Sequence, residues 1–161
     1  MAIKINIGTL KVGSQTLDFI SGAKELGLED GLLKDKIKIF IDLFKASHQI
    51  DFKITLSGML NLTCDRCLDM FDFLFETTFE LVYVQKTARE GYINDGYIKS
   101  YNPFMKSIDI TDDIREYTLL AIPMKRIPAE TNGGICSWCG KSRDYWNKFI
   151  VDEDLLKTKI P

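Results

Sequence analysis

The chain has 161 residues, of which 45% are hydrophobic and 27% charged, with a formal charge of -2 and a pI near 5.5. This composition is ordinary for a globular protein and the length suffices to bury a core, so we expect a single domain over 1–161. The charge excludes a general electrostatic attraction to nucleic acid, so any RNA contact would need a local basic patch.

The amino-terminal residues and the hydropathy pattern predict a cytoplasmic protein. The stretch MAIKINIGTLKVG lacks the charged segment, apolar run and cleavage site of a signal peptide. No window of the sequence approaches ~20 uninterrupted apolar residues, so we expect no membrane contact. Thiols stay reduced in the cytoplasm, which favours metal or redox chemistry over structural disulfides for closely spaced cysteines.

Three consecutive stretches alternate apolar and polar residues, which is the pattern of half-buried strands. They begin near Ile37, Ile50 and Phe71, and short connections such as KASHQ predict that they form an antiparallel meander. The second stretch runs through Gly58, where the strand could bend. Upstream, IKINI and QTLDFIS are typical of further short strands.

Two segments after the meander complete the predicted fold. Residues 85–107 carry Gly, Asn, Asp and Pro without clean periodicity and are predicted to be a long loop or insert. A helix follows, which Thr111 could cap and Pro123 would end. The sequence therefore predicts an α+β protein, mainly an antiparallel sheet that could curl into a partial barrel, with one packed helix.

The four cysteines form two C-x-x-C pairs, LTCDRCLDMF and ICSWCGK. A structural zinc site needs four ligands, and each such turn presents two thiolates, so we predict a shared zinc-knuckle-like site. The 68 residues between the pairs exceed the usual zinc-ribbon gap of ~20 residues, but the longer loop adds only about 1 kcal/mol of closure cost relative to that gap. The site would join the hairpin tip to a knuckle and short helices over 136–161. Its predicted ligands are Cys64, Cys67, Cys136 and Cys139.

Two alternatives for the cysteines stay open. They could be reduced thiols without metal. They could also serve thiol redox chemistry, although a redox pair is usually found at a helix start in a strand–helix–strand setting, which the sequence does not predict here.

Basic and aromatic residues surround both pairs. If a metal brings the pairs together, five cations and an indole share one surface, which could neutralise phosphates and stack on an unpaired base. Nearby acidic residues dilute this patch, and the indole could instead cover the metal site. The candidate RNA-binding residues are Arg66, Lys125, Arg126, Trp138, Lys141 and Arg143.

The sequence offers little for catalysis. His48, the only histidine, is predicted to lie in an exposed turn, and it has no obvious orienting partner for acid–base chemistry. The carboxylates at Asp109, Asp112 and Asp113 are better explained by the start of the helix. We therefore expect no enzyme and no small-molecule substrate.

The stretch LTCDRCLDMF, followed after an insert by IDITDDIREYTLLAIPMKRI, resembles the bacterial YceD-type large ribosomal RNA subunit accumulation proteins. The likeness covers roughly residues 35–126, with a weaker match in LKVGSQTLDFI. Many of those proteins carry two further cysteines, at positions that Pro128 and Asn132 occupy here, and others lack the downstream cysteines. The matching residues are Cys64, Arg66 and Cys67 in the cysteine motif and Glu116, Leu120 and Pro123 in the helix.

The resemblance implies a non-catalytic role in ribosome biogenesis, in the processing or accumulation of large-subunit (23S) rRNA. The expected partner is the rRNA precursor or a pre-ribosomal particle, contacted directly or through a ribosomal protein. A zinc-stabilised module that binds a protein partner is the alternative, and the acidic pI suits it.

Overall fold

The computed structural model describes residues 2–86, 94–127, 130–131 and 135–136. Ten strands and one α-helix lie in these residues. The helix, α1, is Thr111–Leu120, and a short 3-10 helix is Ile7–Thr9. The strands are β1 Lys4–Asn6, β2 Gly13–Ser21, β3 Ile37–Lys45, β4 Gln49–Thr63, β5 Met70–Gln85, β6 Asn94–Asp95, β7 Ile98–Tyr101, β8 Ser107–Asp109, β9 Glu130–Thr131 and β10 Ile135–Cys136.

The chain contacts divide the molecule into two compact units. The first comprises Met1–Asn61 and Leu74–Pro123, and the second comprises Leu62–Phe73 and Met124–Pro161. The prediction of a single domain over 1–161 is not tested by this division and stays a prediction.

Strands β3, β4 and β5 are the three strands that the alternation predicted, and the structure confirms them. They lie next to each other in a six-stranded sheet of order β2-β3-β4-β5-β7-β6. Ile41 of β3 lies opposite Leu17 of β2 and Ile54 of β4, and both pairings are antiparallel. The apolar rows of neighbouring strands therefore face the same side of the sheet, where they form the core.

Strand β7 lies within the predicted loop at 85–107. It pairs in parallel with β5, with Val82 opposite Ile98. Residues 87–93 of that segment are outside the described residues. A four-residue strand shows no clear period of its own, and it forms here because β5 supplies its hydrogen-bond partners.

Helix α1 packs on the apolar side of the sheet within the first unit. The ring of Tyr117 stacks on that of Phe79, with centroids 3.7 Å apart. Ile110 and Ile114 are fully buried. A ten-residue helix is marginal by itself, so this burial is what stabilises it.

The predicted capping of α1 by Thr111 is wrong. The N-cap residue is Ile110, which makes no side-chain cap hydrogen bond, and Thr111 is the first helical residue. Asp109 binds the helix start instead: its Oδ1 accepts the Thr111 backbone N–H at 3.0 Å and the Thr111 hydroxyl at 2.6 Å. The Thr111 hydroxyl oxygen also accepts the Ile3 backbone N–H at 2.7 Å.

The predicted fold class is also wrong. The described residues are mostly β-sheet, with a single α-helix, so the chain is not an α+β protein. The six-stranded sheet is open, with β2 and β6 at its edges, and the described strands close no barrel. No cluster of three or more His, Cys, Asp or Glu side chains suited to a metal is present in the described part of the chain, so the zinc knuckle is not an element of the observed fold.

Candidate functional site

Residues 64–69 form the turn that joins β4 to β5, as predicted for the first cysteine pair. The Cys64 N–H donates to the Asp69 carbonyl at 2.9 Å, and the Leu68 N–H donates to the Cys64 carbonyl at 3.0 Å. Leu68 has a φ of 63°, a left-handed conformation that costs an ordinary residue roughly 1–2 kcal/mol. These hydrogen bonds hold the turn in that shape although no glycine is present.

The two cysteines of this turn differ in exposure. Cys64 is fully buried and Cys67 is half-buried. Only the backbone of Cys136 is described, and Cys139 and the predicted helices of 136–161 are outside the described residues. The four-cysteine ligand set is therefore not tested, and zinc stays a prediction.

A pair of hydrogen bonds ties the turn to the segment after α1. The Asp65 N–H donates to the Arg126 carbonyl at 2.9 Å. In return, the Arg126 N–H donates to Asp65 Oδ2 at 2.7 Å. This clamp, which we call the Asp65–Arg126 clamp, joins residues 61 positions apart in the second unit.

The Asp65–Arg126 clamp brings three candidate RNA-binding residues to one region. Arg66 is half-buried in the turn, and Lys125 and Arg126 have exposed side chains on the clamped segment. The other three candidates, Trp138, Lys141 and Arg143, are outside the described residues. Metal coordination is thus not needed to join the first turn to Lys125 and Arg126, because backbone and carboxylate hydrogen bonds already do so.

Sequence reasoning missed the structural role of Asp65. From the sequence, Asp65 is only one of the acidic residues that dilute the basic patch. Its carboxylate instead accepts a backbone N–H, a use of aspartate that is common in turns. The aspartate after the first cysteine was the available signal, but its partner 61 residues away could not be identified from local sequence.

Large apolar side chains are exposed in the same unit. The exposed fraction is 76% for Leu68, 49% for Met70 and 104% for Met124. The Asp65–Arg126 clamp joins the segment of Met124 to the turn of Leu68, and exposed apolar side chains that gather into a larger patch mark a protein contact.

His48 lies in an exposed turn, as predicted. Its Nδ1 is 3.0 Å from Gln85 Oε1, and its carbonyl accepts the Gln85 N–H at 2.7 Å. These contacts join the start of β4 to the end of β5. They give His48 a structural role.

The acidic residues near α1 also have structural partners. Lys99 Nζ donates to Oδ1 of the buried Asp113 at 2.5 Å, which links β7 to α1. Burial, with Asp113 and Asp109 adding to it, raises the pKa of Tyr83 above its ordinary value, so its hydroxyl stays neutral. The ion pair of Lys99 with Asp113 was not expected from the sequence, which predicts only that Asp113 lies in the first turn of the helix.

Among the described residues, no helix is both long and apolar enough to cross a membrane.

The chain was compared with models of known protein families, with curated proteins and with solved structures. The model of the family described as large ribosomal RNA subunit accumulation protein YceD matches residues 52–148, more than half of the chain. The match includes the cysteine turn, α1 and the segment of the Asp65–Arg126 clamp. No match was found among curated proteins or solved structures. The chain belongs to the YceD family of large ribosomal RNA subunit accumulation proteins.

Proposed function

We propose that this chain is a non-catalytic ribosome biogenesis factor that supports processing or accumulation of large-subunit (23S) rRNA. The observation that carries the proposal is the family match over residues 52–148. That match names large ribosomal RNA subunit accumulation and spans the region where the turn and the clamped segment meet.

The turn and the clamped segment are the proposed contact with the rRNA precursor or pre-ribosomal particle. Lys125 and Arg126 are exposed, and the Asp65–Arg126 clamp fixes their backbone beside the Arg66 turn. Exposed Lys and Arg side chains neutralise phosphates without reading sequence. Such a contact suits a factor that recognises a folded rRNA region by shape and charge.

A non-catalytic role agrees with the contacts of the candidate acid–base groups. His48 bonds to Gln85, Asp109 to the start of α1, and Asp113 to Lys99. Each of these groups already has a partner that explains its position in the fold.

The experiment is depletion of the protein in its own cells, followed by measurement of 23S rRNA, its precursors and 16S rRNA. We expect the ratio of mature 23S to 16S rRNA to fall and 23S precursors to change. The wild-type gene should restore the ratio. A variant with Lys125→Ala and Arg126→Ala should restore it less well, because it keeps the clamp backbone but loses both exposed charges.

The control removes two exposed lysines of the first unit, Lys11→Ala with Lys24→Ala, and should restore the ratio fully. Unchanged 23S rRNA in depleted cells would contradict the proposed function. Crosslinking in cells then decides whether the rRNA contact is direct.

Contact through a ribosomal protein or another assembly factor is the second candidate. The exposed Leu68, Met70 and Met124 favour it, because apolar side chains recognise protein better than phosphate. This alternative predicts that the chain stays with pre-ribosomal particles after RNase treatment and is released when the partner is deleted. Release by RNase alone would select the direct rRNA contact.

A further inference from the structure

The polar side of the six-stranded sheet presents a second candidate surface, on residues of the first unit alone. We call it the outer face: even-numbered residues 14–20 of β2, 38–44 of β3 and 74–82 of β5, and odd-numbered residues 51–57 of β4. The register places these positions on one side, since Phe40 lies opposite Asp18 and Thr55. Thr55 Oγ1 is in turn 3.1 Å from Thr78 Oγ1 on β5.

Large apolar side chains are exposed on the outer face. The exposed fraction is 42% for Phe40 and 48% for Phe44. Ile20 and Leu74 are more exposed still, at 65% and 73%. Phe40 and Phe44 are four residues apart on one strand, so their Cα atoms lie roughly 13 Å from each other.

Shallow depressions flank these rings. One of about 450 Å³ is lined by Phe44, Lys53 and Glu80. Another of about 320 Å³ is lined by Ile20, Lys38 and Phe40. Aromatic side chains, Phe included, are enriched at protein interfaces, so two exposed rings beside such depressions suit contact with a protein partner.

The charge of the outer face is negative. It carries two ammonium groups, Lys38 and Lys53, and Lys53 lies directly opposite Asp42 in the β-ladder. The carboxylates outnumber them, and they are Asp18, Asp42, Asp51, Glu76 and Glu80.

We propose that the outer face binds a basic polypeptide segment that carries apolar side chains. Its carboxylates complement Lys and Arg of the partner, and the depressions beside Phe40 and Phe44 accept the apolar side chains. The same charge disfavours RNA, whose phosphates would face these carboxylates, although exposed aromatic residues on a sheet can stack on bases. It also disfavours a second copy of the chain, because a symmetric contact would set the carboxylates against one another.

The outer face consists of residues of the first unit and includes none of the turn or the Asp65–Arg126 clamp, and the inference does not depend on the proposed role in rRNA accumulation.

The test is binding of short labelled peptides to the full chain, measured by fluorescence anisotropy. The probes are a peptide of alternating lysine and leucine, a lysine–serine peptide and a glutamate–leucine peptide. We expect the lysine–leucine peptide to bind at least about tenfold more tightly than the other two, and added salt to weaken its binding. Failure of this peptide to bind, or equal binding of the other two, would overturn the proposal.

Variants locate the binding. Phe40→Thr with Phe44→Thr should weaken binding of the lysine–leucine peptide about tenfold or more. Phe104→Thr is the matched control, since Phe104 is 90% exposed outside the strands, and it should have no effect. A second variant, Asp42→Asn with Glu80→Gln, keeps both rings and should also weaken binding, because it removes two carboxylates.

Two further results would replace the proposed partner. If a single-stranded RNA oligonucleotide binds the wild-type chain but not the Phe40→Thr, Phe44→Thr variant, the outer face binds RNA instead of a peptide. A concentration-dependent dimer in sedimentation that the same variant abolishes would make the face a self-association surface. Unchanged peptide binding in both folded variants would place the peptide elsewhere and overturn the proposal.

Discussion

Gly58 is a position of β4 where neighbouring side chains leave little room for a larger residue. A Cβ atom built there would lie 3.1 Å from Phe75 Cε1 and 3.5 Å from Ile37 Cγ1. Both neighbours are buried and have little room to move. The bend that the sequence suggests at Gly58 stays a prediction, and β4 runs through this residue as one strand of 15 residues. A residue without a side chain fits here because the ring of Phe75 approaches the strand closely.

We predict that Gly58→Ala destabilises the protein by about 1 kcal/mol. Overpacking a core costs roughly 1–3 kcal/mol, and relief of glycine's conformational entropy returns roughly 0.5–1 kcal/mol. Urea unfolding measures the difference in the free energy of unfolding.

Gly22→Ala is the control, because nothing lies within 4 Å of its Cβ position. It should not destabilise. Adding Phe75→Leu to Gly58→Ala should remove most of the clash, so the two changes should be non-additive. A Gly58→Ala variant as stable as wild type would show that Phe75 can move aside.

At the level of elements, the start of α1 depends on a residue outside the helix. Burial opposes the charge of Asp109, but the hydrogen bonds from the Thr111 hydroxyl and backbone N–H, with Lys4 nearby, outweigh it and hold the pKa of Asp109 below its ordinary value. The ionised form is therefore favoured in the folded state. The stability that it contributes is present above the unfolded-state pKa and is lost as the pH falls through the lower, folded-state pKa.

We predict that Asp109→Ala lowers the free energy of unfolding by about 1 kcal/mol at neutral pH, the usual effect of removing a helix-start acceptor. The difference from wild type should shrink in acid, as wild-type Asp109 becomes protonated. Asp109→Asn keeps an acceptor and should lose less than Asp109→Ala. Unfolding by urea at a series of pH values measures this.

Asp112→Asn serves as the comparison, because Asp112 is an exposed residue of the first turn of α1. Its effect should be smaller than that of Asp109→Ala. Equal effects of the two changes would indicate that general helix-dipole attraction, not the bonds to Thr111, stabilises the start of α1.

At the scale of the whole molecule, the zinc hypothesis concerns cysteines that are far apart in sequence. The shared zinc site would link a turn at 64–67 to cysteines at 136–139. If it forms, Cys136→Ser should release the metal and loosen the C-terminal region while most of the sheet stays folded. Metal content by mass spectrometry tests this, with proteolysis of the C-terminal region as the second measurement. A wild-type chain without stoichiometric metal, or unchanged metal in Cys136→Ser, would end the zinc hypothesis.

The predicted α+β class was wrong because the helix is long enough to show a clear sequence pattern, whereas the short strands of the sheet are not. One helix of ten residues gave a clear signal through its spacing and charges, while the short strand β7 gave none. A four-residue strand has too few positions for a period to appear, and it exists because β5 offers unpaired backbone groups. Local pattern therefore located the helix but missed β7, and so understated the share of sheet.

The sequence alone determined which residues of β3, β4 and β5 turn toward the core, because alternation is a local property of the extended backbone. It also predicted that the first cysteine pair lies between strands. Tertiary structure decided the parallel pairing of β7, the approach of Phe75 to Gly58 and the Asp65–Arg126 clamp. It also gathered the carboxylates of four strands onto the outer face. These features join residues distant along the chain, and such pairings depend on how the whole chain closes its loops.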